Sequence, residues 1–231
     1  MRSIKAIFGK HARDLIKNPM SLVMFLTFPG VAFFMTLFVA GNNEDMPANM
    51  FVTMMAAIFA GMGLINAVSD AIAEDIERKS LRFMVLAGVK PHQYLLGTGG
   101  FYIFAGALTS VVFALIGDFT AQEKIAFLVI MVAGVTASVL LGATIGMCAK
   151  NRQASTALAM PVAVVVGFVP MIAGFNETVE RFAGVLYTQQ INVIVEDFSA
   201  GLLGPLLVIA GNVAVLFVLF VVAYARKGAK G

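Results

Sequence analysis

The chain has 231 residues, 60% of them hydrophobic and 13% charged, with a net charge of +3. A soluble domain carries an apolar fraction of about 45–50%, so a soluble enzyme or carrier is excluded and the apolar runs decide the organisation. One cysteine excludes an intrachain disulfide and a multi-cysteine metal centre.

Residues 1–18 are basic and amphipathic. Ile4, Ile7, Phe8, Ala12 and Leu15 share one helical face, and Lys10, Arg13, Asp14 and Lys17 the other, which predicts a helix in the headgroup layer. A secretory signal is excluded, because the apolar run that follows is too long for one. Asn18 and Pro19 break this helix from the first span.

Six apolar runs follow, at about residues 21–40, 49–68, 95–117, 125–147, 154–175 and 202–223. Crossing ~30 Å of hydrocarbon takes about 20 helical residues, and backbone groups in lipid must be satisfied within the segment, so these runs read as helices. All Lys and Arg except Lys124 and Arg181 fall before the first run, in the second and fourth connections, or in the tail. Bases gather on the cytoplasmic side of membrane proteins, which puts both termini and residues 70–97 in the cytoplasm. The same distribution excludes a nucleic-acid patch.

Residues 70–97 hold Asp70, Glu74, Asp75, Glu77, Arg78, Lys79, Arg82 and Lys90, the densest charge in the chain. Such charge reads as a segment in water. Ile72, Ile76, Leu81 and Met84 recur near helical spacing, and Glu74 and Arg78 form a favourable i, i+4 pair. Ser80 is placed to cap a short helix over 81–86, which Gly88 ends. Leu81, Phe83, Met84, Val85 and Leu86 suit a groove on a partner. They suit equally a helix lying on headgroups or packed under its own bundle.

The outer connections are an acidic turn with Glu44 and Asp45, a short turn at 118–124, and a long half-apolar segment at 176–201. In the last, Val179, Phe182, Val185 and Leu186 share one face, and Ile191, Ile194, Val195 and Phe198 another. This predicts two short helices dipping back into the outer leaflet.

No P-loop pattern occurs, so no phosphate cradle is available in this chain. His11 and His92 have no paired nucleophile and read as interfacial polar residues. Cys148 reads as a small apolar residue. The span interiors hold no ionisable side chain, which argues against ion-coupled transport. Asn66 and Asn212 are the polar residues within spans, placed either to contact a substrate or to bond a neighbouring helix. Gly142 and Gly146 permit close helix approach, within the chain or at a dimer seam. Pro29, Pro161, Pro170 and Pro205 are positioned to kink or break their helices.

Taken in order, these landmarks resemble the membrane subunits of ABC-2-type transporters, above all small bacterial permeases for peptide-antibiotic or multidrug export. Arg13-Asp14-Leu15 with Asn18-Pro19 is similar to that family's connecting helix, and Phe28-Pro29 to its first span. Glu77-Arg78-Lys79-Ser80-Leu81, then Val89-Lys90-Pro91 and Tyr94-Leu95-Leu96-Gly97, resembles its first cytoplasmic loop, although many members carry Thr-Pro in place of Lys90-Pro91. Lys150-Asn151-Arg152-Gln153-Ala154, Met160-Pro161 and Phe168-Val169-Pro170-Met171 resemble its fourth loop and fifth span. The resemblance implies an all-α polytopic membrane protein of one domain with a re-entrant helix pair. It implies a non-catalytic permease, dimeric with itself or a related chain, moving an amphipathic cargo such as a peptide antibiotic, drug or lipid-like molecule out across the cytoplasmic membrane. A separate cytoplasmic ATPase subunit would hold ATP and Mg, leaving no cofactor in this chain. It would engage the permease through Glu77, Arg78, Leu81, Arg82, Phe83, Met84 and Leu86. Asn66, Asn212, Gly142 and Gly146 would line the pathway or join helices. A membrane immunity or scaffold protein would share the hydropathy without needing an ATPase.

Overall fold

The computed structural model describes residues 2–17, 19–43, 46–47 and 49–229; Asn18, Glu44, Asp45 and Lys230, singled out in the sequence, lie outside the described residues. The helices, in order, are α1 (Arg2–Lys17), α2 (Pro19–Phe38), α3 (Met50–Ile58), α4 (Leu64–Glu77), α5 (Ser80–Leu86) and α6 (Pro91–Ile116). They continue with α7 (Ala121–Cys148), α8 (Arg152–Ala173), α9 (Glu177–Ala183), α10 (Tyr187–Glu196) and α11 (Leu203–Ala229), and no strand occurs among the described residues. Six segments are long and apolar enough to cross a membrane, with α3 and α4 counting as one. The chain is therefore an all-α polytopic membrane protein.

Local chemistry sets the helix starts. The Thr120 hydroxyl accepts from the Glu123 amide at 3.3 Å while the Glu123 carboxylate accepts from the Thr120 amide at 2.7 Å, a capping box opening α7. Asn151 Oδ1 accepts from the Ala154 amide at 2.8 Å to open α8, and Asn176 Oδ1 accepts from the Thr178 amide at 2.9 Å to open α9. Pro29 lies within α2, and Pro161 and Pro170 within α8. Pro205 sits in the first turn of α11, where a missing N–H is harmless.

The second span differs from the straight run expected. It is interrupted by a π-helical turn at Phe59–Gly63, a rare single-turn distortion of an α-helix. A Cβ on Gly61 would lie 2.5 Å from Gly167 Cα, so α8 presses its backbone directly against that turn. The span also continues past residue 68, the boundary expected from hydropathy, as far as Glu77. Asp70, Glu74 and Asp75 thus lie on the continuation of this helix and not in a loop.

Helix α7 is the central post, packing against α4, α6 and α11. Cβ atoms on Gly142 and Gly146 would each lie 2.7 Å from a carbonyl of α4, those of Ile65 and Ser69. The small-residue pair therefore joins two helices of one chain. Around this core the outward faces are apolar: Phe33, Phe34 and Phe38 on α2, and Val215, Val218 and Val222 on α11, are exposed.

The predicted short helices after the fifth span are α9 and α10. The apolar face of α10 goes to protein, not lipid: Ile191, Ile194 and Val195 are buried. The Tyr187 hydroxyl meets the Ser138 hydroxyl at 3.0 Å. Ser138 also donates to the Ala60 carbonyl, and the Thr188 hydroxyl donates to the Val166 carbonyl at 2.7 Å. Ser138 is 17 residues into α7, or about 25 Å along its axis. The turn between α9 and α10 thus reaches deep into the bundle.

Candidate functional site at the basic end of the bundle

Helix α5 is set off from α4 by Lys79, whose backbone is left-handed at φ 58°. A side-chain-bearing residue keeps that conformation only where its surroundings enforce it. Here Ser80 does so without acting as a cap: its hydroxyl lies 3.0 Å from the Asp75 carbonyl and 2.9 Å from the Asp75 carboxylate. The far end closes on Gly88 at φ 80°, with the Val89 amide donating to the Met84 carbonyl and the Gly88 amide to that of Val85, each at 3.0 Å. That is the Schellman arrangement, in which glycine takes the left-handed position without penalty.

Seven residues divide by helical angle into two faces. Leu81 is 6% exposed and packs with the half-buried Met84 and Val85 against the bundle. Arg82, Phe83 and Leu86 look outward, with Phe83 68% and Leu86 75% exposed. Glu77 and Arg78 are exposed as well, but both also have partners within the chain. The Glu77 carboxylate accepts from the Arg152 amide at 3.0 Å, at the first residue of α8. Arg78 pairs with Glu74 at 2.7 Å, and Arg152 approaches the same carboxylate at 3.5 Å.

Behind α5 lies a buried charge. Asp75 is fully buried in α4. Its carboxylate accepts from Lys10 of α1, from Ser80 of α5 at 2.9 Å and from Tyr94 of α6 at 2.9 Å. His11 stands 4.0 Å away and is hydrogen-bonded to the Thr98 hydroxyl at 3.0 Å. Burial pushes the His11 imidazole below its ordinary pKa of 6.5, against the pull of Asp75. A buried carboxylate persists where cation and donors satisfy it together. Asp75 therefore ties four helices at one point. Among the described residues no group of acids, histidines and cysteine is arranged to hold a metal.

Beside this cluster a cleft of about 480 Å³ opens between α1, α4 and the start of α8. Lys17, Asp70, Arg152 and Asn66 are among the residues that line it. The Asn66 amide donates to the Met62 carbonyl at 2.9 Å and reaches the Met160 sulfur of α8 at 3.9 Å. Its side-chain oxygen is buried with no hydrogen-bond partner among the described residues. Asn212 lies elsewhere: its amide donates to the Val185 carbonyl at 2.9 Å, fastening α11 to the turn before α10. Gly142 and Gly146 do not line the cleft and lie in the seam between α4 and α7.

Sequence reasoning passed over Asp75, Lys10, His11, Tyr94 and Thr98 as a group. One signal was available. Ile65, Val68 and Ile72 mark the buried face of α4 by helical spacing, and Asp75 follows Ile72 by three residues on that same face. Asp70, Glu74 and Glu77 fall off it.

The family model described as ABC-2 family transporter protein matches residues 40–225 of the chain. No curated protein matches it.

Proposed function

The chain belongs to the ABC-2 family of transporter proteins, and from that premise we propose that it is the permease of an exporter whose separate ATPase subunit engages α5. The observation that carries this reading is the form of α5: a short helix with Phe83 and Leu86 exposed, fastened by Ser80 to a buried carboxylate. An apolar knob such as Phe83 suits a groove on a partner, and its burial contributes about 1.5–3 kcal/mol.

Movement of α5 in such a complex passes to the spans by two routes. Ser80 hands it to Asp75, and so to α1, α4 and α6. Glu77 and Glu74 hand it to the start of α8 through Arg152. Both routes border the cleft beside Asn66, whose width then follows the state of the ATPase. That cleft is lined by charged side chains together with Leu15, Phe25 and Tyr102, a mixture that suits an amphipathic cargo: a peptide antibiotic, a drug or a lipid-like molecule. We place the protein in the cytoplasmic membrane of a bacterium, with both termini inside and two permease chains per complex. ATP and Mg are held by the partner subunit.

The test is Phe83→Asp. The substitution removes an exposed apolar contact and adds a desolvation cost at the interface, while leaving the buried face of α5 intact. We expect normal membrane levels, loss of the ATPase from the purified complex and loss of transport-dependent resistance or secretion. A variant that retains its ATPase and still transports would falsify the coupling role of α5.

A further inference from the structure

A second groove opens on the other flank of α5, between that helix and the basic ends of α7 and α11, with a volume of about 740 Å³. Its apolar lining includes Leu81, Met147, Leu219 and Val222. Its lower rim carries Lys79, Arg82, Lys150 and Arg226, all exposed, together with Lys227, whose ammonium also donates to the Ala149 carbonyl. No acidic residue lines it among the described residues.

The order of these groups along the helices is the informative feature. On α11 the lining runs from Leu219 through Val222 to Arg226, about 10 Å along the axis. On α7 it runs the same way, from Met147 and Cys148 to Lys150 just beyond the helix end. Two independent helices thus grade from apolar to cationic in parallel, at the place where membrane-length segments end. Above the groove the wall continues into Val215 and Val218 of α11, which are exposed on the outward face of the bundle. A groove open to the membrane, apolar toward the bilayer centre and cationic at the surface, has the polarity of one phospholipid molecule with an anionic headgroup.

We propose that this groove is a binding site for an anionic phospholipid, whose phosphate sits among Arg82, Lys150 and Arg226 and whose acyl chains lie along Leu219 and Val222. Zwitterionic lipid fills the apolar part but leaves the cationic rim unmatched. Because Arg82 and Leu86 are on α5, a bound lipid touches the same short helix beside Phe83, on residues of its outward face.

The chain contains no tryptophan, so a single introduced indole reports without background. In the full-length protein, Leu219→Trp places it in the groove, and Leu96→Trp places it on an exposed position near the basic end of α6. Both variants are reconstituted in symmetrical bilayers of phosphatidylcholine containing dibrominated phosphatidylglycerol or dibrominated phosphatidylcholine. We expect Leu219→Trp to reach equal quenching at a roughly tenfold lower fraction of the brominated anionic lipid. Leu96→Trp should show no such preference. Adding Arg82→Gln, Lys150→Gln and Arg226→Gln to Leu219→Trp should abolish the preference and leave quenching by phosphatidylcholine unchanged, which also reports that the variant is folded and inserted. Water-soluble glycerol phosphate should not compete. Equal quenching of Leu219→Trp by the two lipids overturns the proposal. So does a preference that survives neutralisation of the rim, displacement by glycerol phosphate, which marks a site for a free anion, or complete shielding of the indole from both lipids by the assembled ATPase subunit.

Discussion

Ser80, the first residue of α5, lies with its hydroxyl 2.9 Å from the carboxylate of Asp75, the last buried residue of α4. A helix of seven residues outside the main bundle is thereby joined to a charge inside it. Lys10 and Tyr94 hold the same carboxylate, so the junction is shared by the first, second and third parts of the fold.

Replacing Asp75 by alanine leaves the Tyr94 hydroxyl and the inner end of Lys10 without their acceptor. Breaking a buried pair from one side is destabilising by about 3–5 kcal/mol, and we expect the lower end because Lys10 is partly exposed. Asp75→Asn keeps an acceptor for Ser80 and Tyr94 and should lose less. Thermal unfolding of the solubilised protein measures both. An alanine variant that melts with the wild type would show that the junction carries no stability.

Glycine substitutions separate close approach from helix propensity. Gly61→Ala would drive a Cβ to within 2.5 Å of Gly167 Cα, a backbone atom that cannot rotate away. Gly100→Ala meets nothing within 4 Å and should gain about 0.5–1 kcal/mol from the reduced freedom of the unfolded chain. The two variants should therefore shift the melting temperature in opposite directions.

His11 predicts the sign of a pH effect. Its pKa in the fold lies below 6.5 because burial disfavours the cation, with Asp75 and Asp14 opposing and Lys10 adding to the shift. Above pH 6.5 the contribution to stability is complete. As pH falls below 6.5 the unfolded chain binds a proton that the folded chain refuses, so stability declines until the folded-state pKa is passed. His11→Gln should flatten that part of the curve relative to wild type; melting curves across the window decide it. An unchanged slope would remove His11 as the cause.

Much of the fold was legible because hydropathy and charge speak directly to it. The six runs and the two short helices after the fifth span have structural counterparts. The interrupted second span was not legible, since nothing in residues 59–63 by themselves requires a π-turn; the crowding comes from Gly167, more than a hundred positions away. The candidate site failed in a similar way. Charge in residues 70–77 reads as solvated unless a partner is known, and the partners of Asp75 lie on α1 and α6. The outward set Arg82, Phe83 and Leu86 could be separated from Leu81 only once Lys79 had fixed the rotation of α5.

The orientation of the chain is open to a direct measurement. In a Cys148→Ala background, a cysteine at Glu180 should react with a membrane-impermeant thiol reagent from outside intact cells, and one at Lys79 should not. Nitroxides extend the test to α9 and α10: at Phe182 a label should meet lipid, and at Ile194, which is buried, it should be immobilised in protein. Outside labelling at Lys79 would invert the arrangement.

The contact between Gly61 and Gly167 has a mechanical consequence. Where two backbones touch with no side chains between them, the helices can come no closer, so a tilt of the second span would pivot about the π-turn. On one side of it α4 runs 14 residues, about 21 Å, to Glu77; on the other α3 runs 9 residues, about 14 Å, to Met50. The arms are unequal. A tilt about this point sweeps the end near α5 through roughly one and a half times the arc of the opposite end, so a large stroke at the basic end is geared down to a small, stiff displacement at the far side.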